Sequence, residues 1–265
     1  MRRARLALVF AGSDPSGGAG LELDLKVLAL FGAHGAAVAT CFTLQTATGV
    51  SAITAAPAAR AKRQIERLAR DASIGAVQIG MLPDAAWARL VARRLDSWPR
   101  VPVVHDPVLK PTIGPRALSR SDLEVLRREL LPRVLLLTPN AVEAAALLGV
   151  PLRRVARDPD AAARALLELG PQAVLLKGGH LPRGASVVDR LRGRHGERDF
   201  VVELARGVAP RGTGCALAAA ITAGLLRGRS LPQSIELAKA WLVRARRDAT
   251  FVGRGRPHLG LVAPV

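Results

Sequence analysis

The chain contains no tyrosine, only three tryptophans and only five phenylalanines in 265 residues. Flat side chains on which successive bases could stack are therefore scarce, which argues against a single-strand nucleic-acid platform. Cysteine is nearly as scarce. Cys41 and Cys215 lie far apart with no metal-ligand spacing, which excludes a disulfide framework and suits a reducing cytoplasm. No run of about 18 apolar residues occurs, so neither a spanning helix nor a membrane partner is expected. The first ten residues start basic and turn apolar, as a signal peptide does. Their apolar stretch is short and enters a charged glycine loop without a good cleavage site, so it reads as a first buried strand. No linker-like stretch and no internal repeat divides the sequence, and one domain is expected over residues 1–265.

Lysine is rare as well: five against 34 arginines, beside heavy use of alanine, for a net charge of +18. Such a charge invites a nucleic-acid partner. The arginines are scattered over helical surfaces and loops, however, and their excess over lysine reads as a compositional bias. No nucleic-acid partner is expected. The positive field would still help to gather phosphorylated small molecules.

Short apolar runs alternate with helical stretches. The runs are Leu6–Phe10, Ala36–Thr40, Ala76–Ile79, Val101–Val104, Val134–Leu137 and Ala173–Leu176. Amphipathic segments fall at Pro57–Arg70, Ala85–Leu95, Ser121–Leu130 and Ala141–Leu148. This order predicts an α/β fold with a mostly parallel central sheet and helices on both faces. Ser186–Leu204 reads instead as a small edge hairpin. In such sheets ligands gather at the C-terminal strand ends. Asp14, Gln45, Asp106, Asn140 and Lys177 fall there, after the first, second, fourth, fifth and sixth runs.

Two glycine-rich turns stand out. Pro210-Arg-Gly-Thr-Gly-Cys215 precedes the alanine-rich helical segment Ala216–Leu226, so its amides would face an anion at a helix N-terminus. The same field would favour a thiolate at Cys215. Ala11-Gly-Ser-Asp-Pro-Ser-Gly-Gly-Ala-Gly20 is a strand–loop–helix opening that fits neither a dinucleotide fingerprint nor a P-loop. A glycine loop leading into an ordinary core helix accounts for either turn equally well, and Ser16 could simply cap its helix.

These turns belong to a series of seven motifs. The others are Thr43-Leu-Gln45, Gln78-Ile-Gly-Met81, Asp106-Pro-Val108, Thr138-Pro-Asn140 followed by Glu143, and Lys177-Gly-Gly-His180. From about Leu6 to Gly260 the series resembles hydroxymethylpyrimidine (phosphate) kinase, the thiamine-pathway member of the ribokinase-like superfamily. The resemblance implies ATP-dependent phosphorylation of 4-amino-5-hydroxymethyl-2-methylpyrimidine and its monophosphate to the diphosphate. It also implies Mg²⁺ and a homodimer. Cys215 then becomes the base that accepts the substrate hydroxyl proton, and the amides of Gly212, Thr213 and Gly214 hold the transferring phosphoryl group. Asp106 and Glu143 become the metal carboxylates. Lys177, Lys239 and Asn140 fall on the ATP/phosphate side. Gly12, Asp24, Gln45, Met81 and Val108 surround the pyrimidine. Read on their own, Cys215 fits a buried thiol, Lys239 a solvated helix lysine, and Asp24 a surface helix position.

The sequence departs from the family pattern around this site. Pro210, Arg211 and Ala216 replace the usual Thr-His before the catalytic turn and Thr after it. Lys110-Pro-Thr-Ile-Gly114 replaces a Lys-Ser-Gly loop, His105 stands where an apolar residue is usual, and Leu23 replaces a small residue beside Asp24. Arg211 is expected to restore the phosphate contacts, since guanidinium is a good phosphate partner. Two other activities fit the same residues: a pyridoxal/pyridoxine kinase, and a catalytically weak sensor of pyrimidine phosphate.

Overall fold

The computed structural model describes residues 4–109, 118–179, 186–203 and 208–264. Lys110–Gly114 and His180 lie outside the described residues. Nine strands form one sheet in the order β3-β2-β1-β4-β5-β6-β7-β8-β9. They are β1 (Leu6–Ser13), β2 (Gly35–Thr46), β3 (Gly49–Ala55), β4 (Ile74–Ile79), β5 (Val103–His105), β6 (Leu136–Leu137), β7 (Ala173–Leu176), β8 (Ser186–Gly193) and β9 (Arg198–Glu203). From β2 through β7 the pairing is parallel, while β3, β8 and β9 run antiparallel to their neighbours. The mostly parallel sheet and the edge hairpin β8–β9 match the sequence reading.

Alternate residues of the central strands are buried on opposite faces. Leu8, Phe10, Val77, Ile79 and Leu137 join one core with α2 (Ala58–Asp71), α3 (Ala85–Leu95), α4 (Arg120–Val125), α5 (Ala141–Leu148), α6 (Leu152–Arg157) and α7 (Pro159–Leu167). Val9, Val104, Leu136 and Leu175 join the other with α1 (Gly20–Leu30), α8 (Thr213–Leu226) and α9 (Leu231–Arg247). Helix α8 is buried continuously from Ala216 to Gly224, because its small side chains let α9 approach closely. Trp241 of α9 packs edge-on against Phe31, with ring centroids 5.3 Å apart.

Three local departures from the sequence reading have physical causes. Strand β2 continues past Thr40 to Thr46 and pairs with β3, which the sequence reading did not include. In β3 only Val50 is buried, so no alternating apolar pattern marks it. Gln45 therefore lies within a strand instead of after one. The helix expected at Ser121–Leu130 opens as α4 with a Ser119 capping box. It then widens into a π turn at Leu126–Leu130 and tightens at Leu131–Arg133. Pro132, lacking an N–H, cannot extend the regular ladder there.

Candidate active site

The C-terminal ends of the parallel strands open into a cleft of about 1130 Å³. At its centre is the N-terminus of α8. Gly212 caps the helix in the left-handed conformation, with φ +68°, and among the described residues no side chain caps the first turn. The amides of Thr213, Gly214 and Cys215 thus lack the usual capping partner at the positive end of a 14-residue helix. A side chain added at Gly214 would come within 3.0 Å of Asp106 Oδ2 and 3.1 Å of Lys177 Nζ. The anion turn rests on that ion pair.

Asp106 follows β5 and is buried; its Oδ1 accepts from Lys177 Nζ at 2.6 Å and from Thr138 Oγ1 at 3.1 Å. Lys177 follows β7 in a bridge with Asn140. Burial works against its charge, but the carboxylates of Asp106 and Glu143 outweigh it and hold the ammonium above its ordinary value. Glu143 lies in the first turn of α5. Its Oε2 accepts from the Asn140 amide at 2.7 Å while Asn140 Oδ1 accepts from the amides of Val142 and Glu143. Burial pushes the Glu143 carboxyl up to about 7; the nearby Lys177 opposes this and Asp106 adds to it. Both residues are therefore helix-capping partners as well as cleft residues.

At Cys215 the sequence expectation is corrected. The helix N-terminus was expected to favour the thiolate. Instead, burial raises the thiol well above its ordinary value, and the neighbouring Asp24 and Asp106 charges raise it further. The Gly20 amide and Lys177 work the other way and lose.

Gly12, Gln45, Met81 and Val108 all line the cleft beside Cys215. The single Thr43 hydroxyl proton faces two acceptors, the Ser13 carbonyl at 2.8 Å and Gln45 Oε1 at 3.0 Å. Asp24 is placed differently. It is buried on α1 and is absent from the cleft wall. It lies close to the buried Gln78 of β4, but neither side chain finds a hydrogen-bond partner among the described residues. Burial dominates and pushes the Asp24 carboxyl well above its ordinary value. His105 is buried on the other side of the strand ends. Its Nδ1 meets the Ile79 carbonyl at 3.1 Å, and burial lowers its pKa to about 4, so the ring is neutral.

Lys239 is not a solvated helix lysine. Its Nζ lies 2.6 Å from Asp189 Oδ2, with both side chains 9% exposed. Asp189 Oδ1 accepts from the Gly178 amide at 2.8 Å, so the pair ties α9 to the loop after Lys177. Sequence reasoning missed Asp189. The available signal was a carboxylate at an inward position in Val187-Val-Asp189. Arg211 is likewise engaged: Nη2 donates to Asp14 Oδ2 at 2.9 Å, and Nη1 donates to Ser16 Oγ at 2.9 Å and to the Thr46 carbonyl at 2.6 Å.

A nine-stranded, mostly parallel sheet with an uncapped helix N-terminus over its strand ends is the arrangement of a ribokinase-like kinase, and the chain has that fold. The pyridoxal kinase of Staphylococcus aureus in complex with ADP superposes with a TM-score of 0.89 at 25% identity, covering 99% of this chain and 95% of that one. A phosphomethylpyrimidine kinase from Clostridium difficile gives 0.76 at 31% identity, covering 91% and 99%. The hydroxymethylpyrimidine/phosphomethylpyrimidine kinase of Salmonella typhimurium is 41% identical over 94% of both chains. A family profile described as phosphomethylpyrimidine kinase matches residues 14–259. The chain belongs to the phosphomethylpyrimidine kinase family, and it is a phosphotransferase.

Proposed function

We propose that the protein transfers the γ-phosphoryl group of ATP first to the hydroxymethyl oxygen of 4-amino-5-hydroxymethyl-2-methylpyrimidine, and then to the resulting monophosphate. The observation that carries this reading is the uncapped turn Gly212–Cys215, seated on the Asp106–Lys177 pair with one thiol at its rim. Amides fixed in place need no reorganisation as charge builds on the transferring group, and each well-aimed donor of this kind is worth about 2.7–4 kcal/mol. Lys177 supplies a further positive charge beside the turn. Gln45 can both donate to and accept from an aminopyrimidine edge, while Met81 and Val108 give the ring apolar walls. Lys239, held by Asp189, lies on the ATP side.

Cys215 is the group placed to take the hydroxyl proton. Only its thiolate can do so, and burial disfavours that form in the free protein, with the Asp24 and Asp106 charges adding to it. Offsetting the Asp106 charge eases that ionisation only in part, because burial continues to oppose it. Turnover is then expected to rise with pH into the alkaline range.

Magnesium fits the oxygen donors present. Asp106 and Glu143 each commit one carboxylate oxygen to the bonds described above, leaving a second for a cation or its water. Mg²⁺ commonly takes few protein carboxylates and shares its sphere with phosphates and water. When bound, Mg²⁺ would offset the negative charge of the phosphates.

One observation favours keeping pyridoxal as a second substrate, the high superposition on a pyridoxal kinase. Purified protein with Mg-ATP should release ADP with the pyrimidine alcohol and its monophosphate, and much more slowly with pyridoxal. Faster release with pyridoxal reverses the assignment. Tight pyrimidine-phosphate binding without ADP release identifies a sensor instead. We take the chain to be one domain, supported by a sheet continuous from Leu6 to Glu203, and to act in the cytoplasm, as its two free cysteines suggest. A homodimer accords with Phe42 and Leu44, 55% and 69% exposed on β2; light scattering would test it.

A further inference from the structure

The geometry points to Arg211 as a positioning residue: a latch that fixes the strand carrying Gln45 against the turn carrying Cys215, and not a phosphate contact. Its guanidinium meets three groups from two separate segments. Asp14 and Ser16 come from the loop after β1, and the Thr46 carbonyl comes from the end of β2, next to Gln45. Its own backbone directly precedes Gly212, and its amide donates to the Pro257 carbonyl at 2.9 Å.

Asp14 is built to receive this cation. Its side chain is 3% exposed against 10% for Arg211. Oδ1 accepts from the amide and hydroxyl of Ser16, leaving Oδ2 to Arg211. The Asp14 amide donates to Glu22 Oε2 at 2.7 Å, while Glu22 Oε1 accepts from Ser13 Oγ at 2.5 Å. The loop is therefore fixed from below before the arginine engages it. A planar fork can join a carboxylate and a carbonyl at once, which a single ammonium does less well.

The far side of the latch needs such a tie. Beyond Phe42, β2 has left the parallel sheet and pairs only with β3. The turn between them lines the cleft mouth at Ala47–Gly49. Besides Arg211, the described tie on this turn is the Arg256 amide, which donates to the Ala47 carbonyl at 3.1 Å. Releasing Thr46 lets the turn and Gln45 move away from Cys215. Apparent pyrimidine affinity then falls by the fraction of molecules still closed.

This inference rests on the kinase reading, so its test includes a measurement independent of catalysis. Arg211→Ala and Asp14→Asn should each speed amide hydrogen exchange over residues 45–50 and raise KM for the pyrimidine alcohol, both by about tenfold, the worth of one charge-assisted contact. ATP affinity, measured without pyrimidine, should stay within about twofold, and Arg211→Lys should recover part of both losses. Should Arg211→Ala fail to fold, Asp14→Asn and Arg211→Lys carry the same comparison. Unchanged exchange over residues 45–50 overturns the latch. So does a loss of ATP or monophosphate binding with the alcohol bound as before, which would make Arg211 a phosphate ligand. Failure of wild-type turnover would instead fall on the substrate assignment, leaving the exchange result intact.

Discussion

A side chain on Gly212 would run into the carbonyl oxygen of Gly18 and lie 2.5 Å from Leu23 Cδ2. The two glycine-rich turns, from opposite ends of the sequence, are pressed together at that point. Gly212 also has φ +68°, where a side chain costs about 1–2 kcal/mol. Gly228 has φ +81° but open space around it. Gly212→Ala should therefore displace the turn and remove nearly all turnover, whereas Gly228→Ala should cost only about 1 kcal/mol of stability and leave kcat unchanged. Equal effects in urea unfolding and in turnover would show that the fit of the two turns is unimportant.

Cys215→Ser should lose most turnover with little change in ligand affinity, because serine is a far poorer base at neutral pH. In the free enzyme the raised thiol should alkylate slowly at pH 7 and gain speed only well above the ordinary thiol range near 8.5. Cys41 is fully buried, so iodoacetamide uptake by native protein should vanish in the Cys215→Ser variant. Wild-type turnover in that variant would assign the proton to another group.

Asp24 offers a test through stability. Its folded-state carboxyl is raised well above the unfolded value near 3.9. Such a group contributes stability that is fully present below about pH 3.9 and lost as pH rises toward the folded value. Asp24→Asn removes that loss, and its amide can still face Gln78. The variant should gain melting temperature relative to wild type between pH 4 and pH 7, with the difference growing as pH rises. A difference that stays flat across this range would place the Asp24 titration elsewhere.

Lys239→Met should leave Asp189 buried with no partner for its charge. Breaking a buried pair in this way costs about 3–5 kcal/mol at full burial, visible as a lower urea midpoint. Asp189→Leu combined with Lys239→Met should recover only part of this, because the Gly178 amide would then lose its acceptor. Full recovery would mean that the Gly178 bond contributes nothing.

Much of this was legible in the residues. The helices Ala85–Leu95 and Ala141–Leu148 were bounded correctly, because Asp84 and Asn140 cap runs with clear helical periodicity. The strand Ala173–Leu176 was plain as a short apolar run. The cleft residues Gly12, Gln45, Met81, Asp106, Lys177 and Cys215 were legible because they sit in compact motifs. Side-chain partners were less so. Nothing near Arg211 in the sequence announces Asp14, and nothing near Lys239 announces Asp189, since each pair joins segments brought together only by the sheet. The ionisation of Cys215 was misjudged for a related reason. The helix end is visible in sequence, but the burial and the two carboxylates that oppose it come from elsewhere in the chain.

The bond between Asp14 and Arg211 spans 197 residues. Closing so long a loop costs about 2.5 kcal/mol more than closing one of roughly 12 residues. The central strands β1, β2 and β4 all lie in the first third of the chain and can assemble early, while α8 and α9 arrive from the last quarter. The site, which needs both ends of the chain, is thus expected to come together last. A polypeptide still on the ribosome can hold most of its sheet with no catalytic turn at all. Contacts that close so long a loop are expected to be absent from the folding transition state, so weakening them should accelerate unfolding and leave refolding nearly unchanged in stopped-flow measurements. The lifetime of the active form, more than the speed of its making, depends on the Asp14–Arg211 bond.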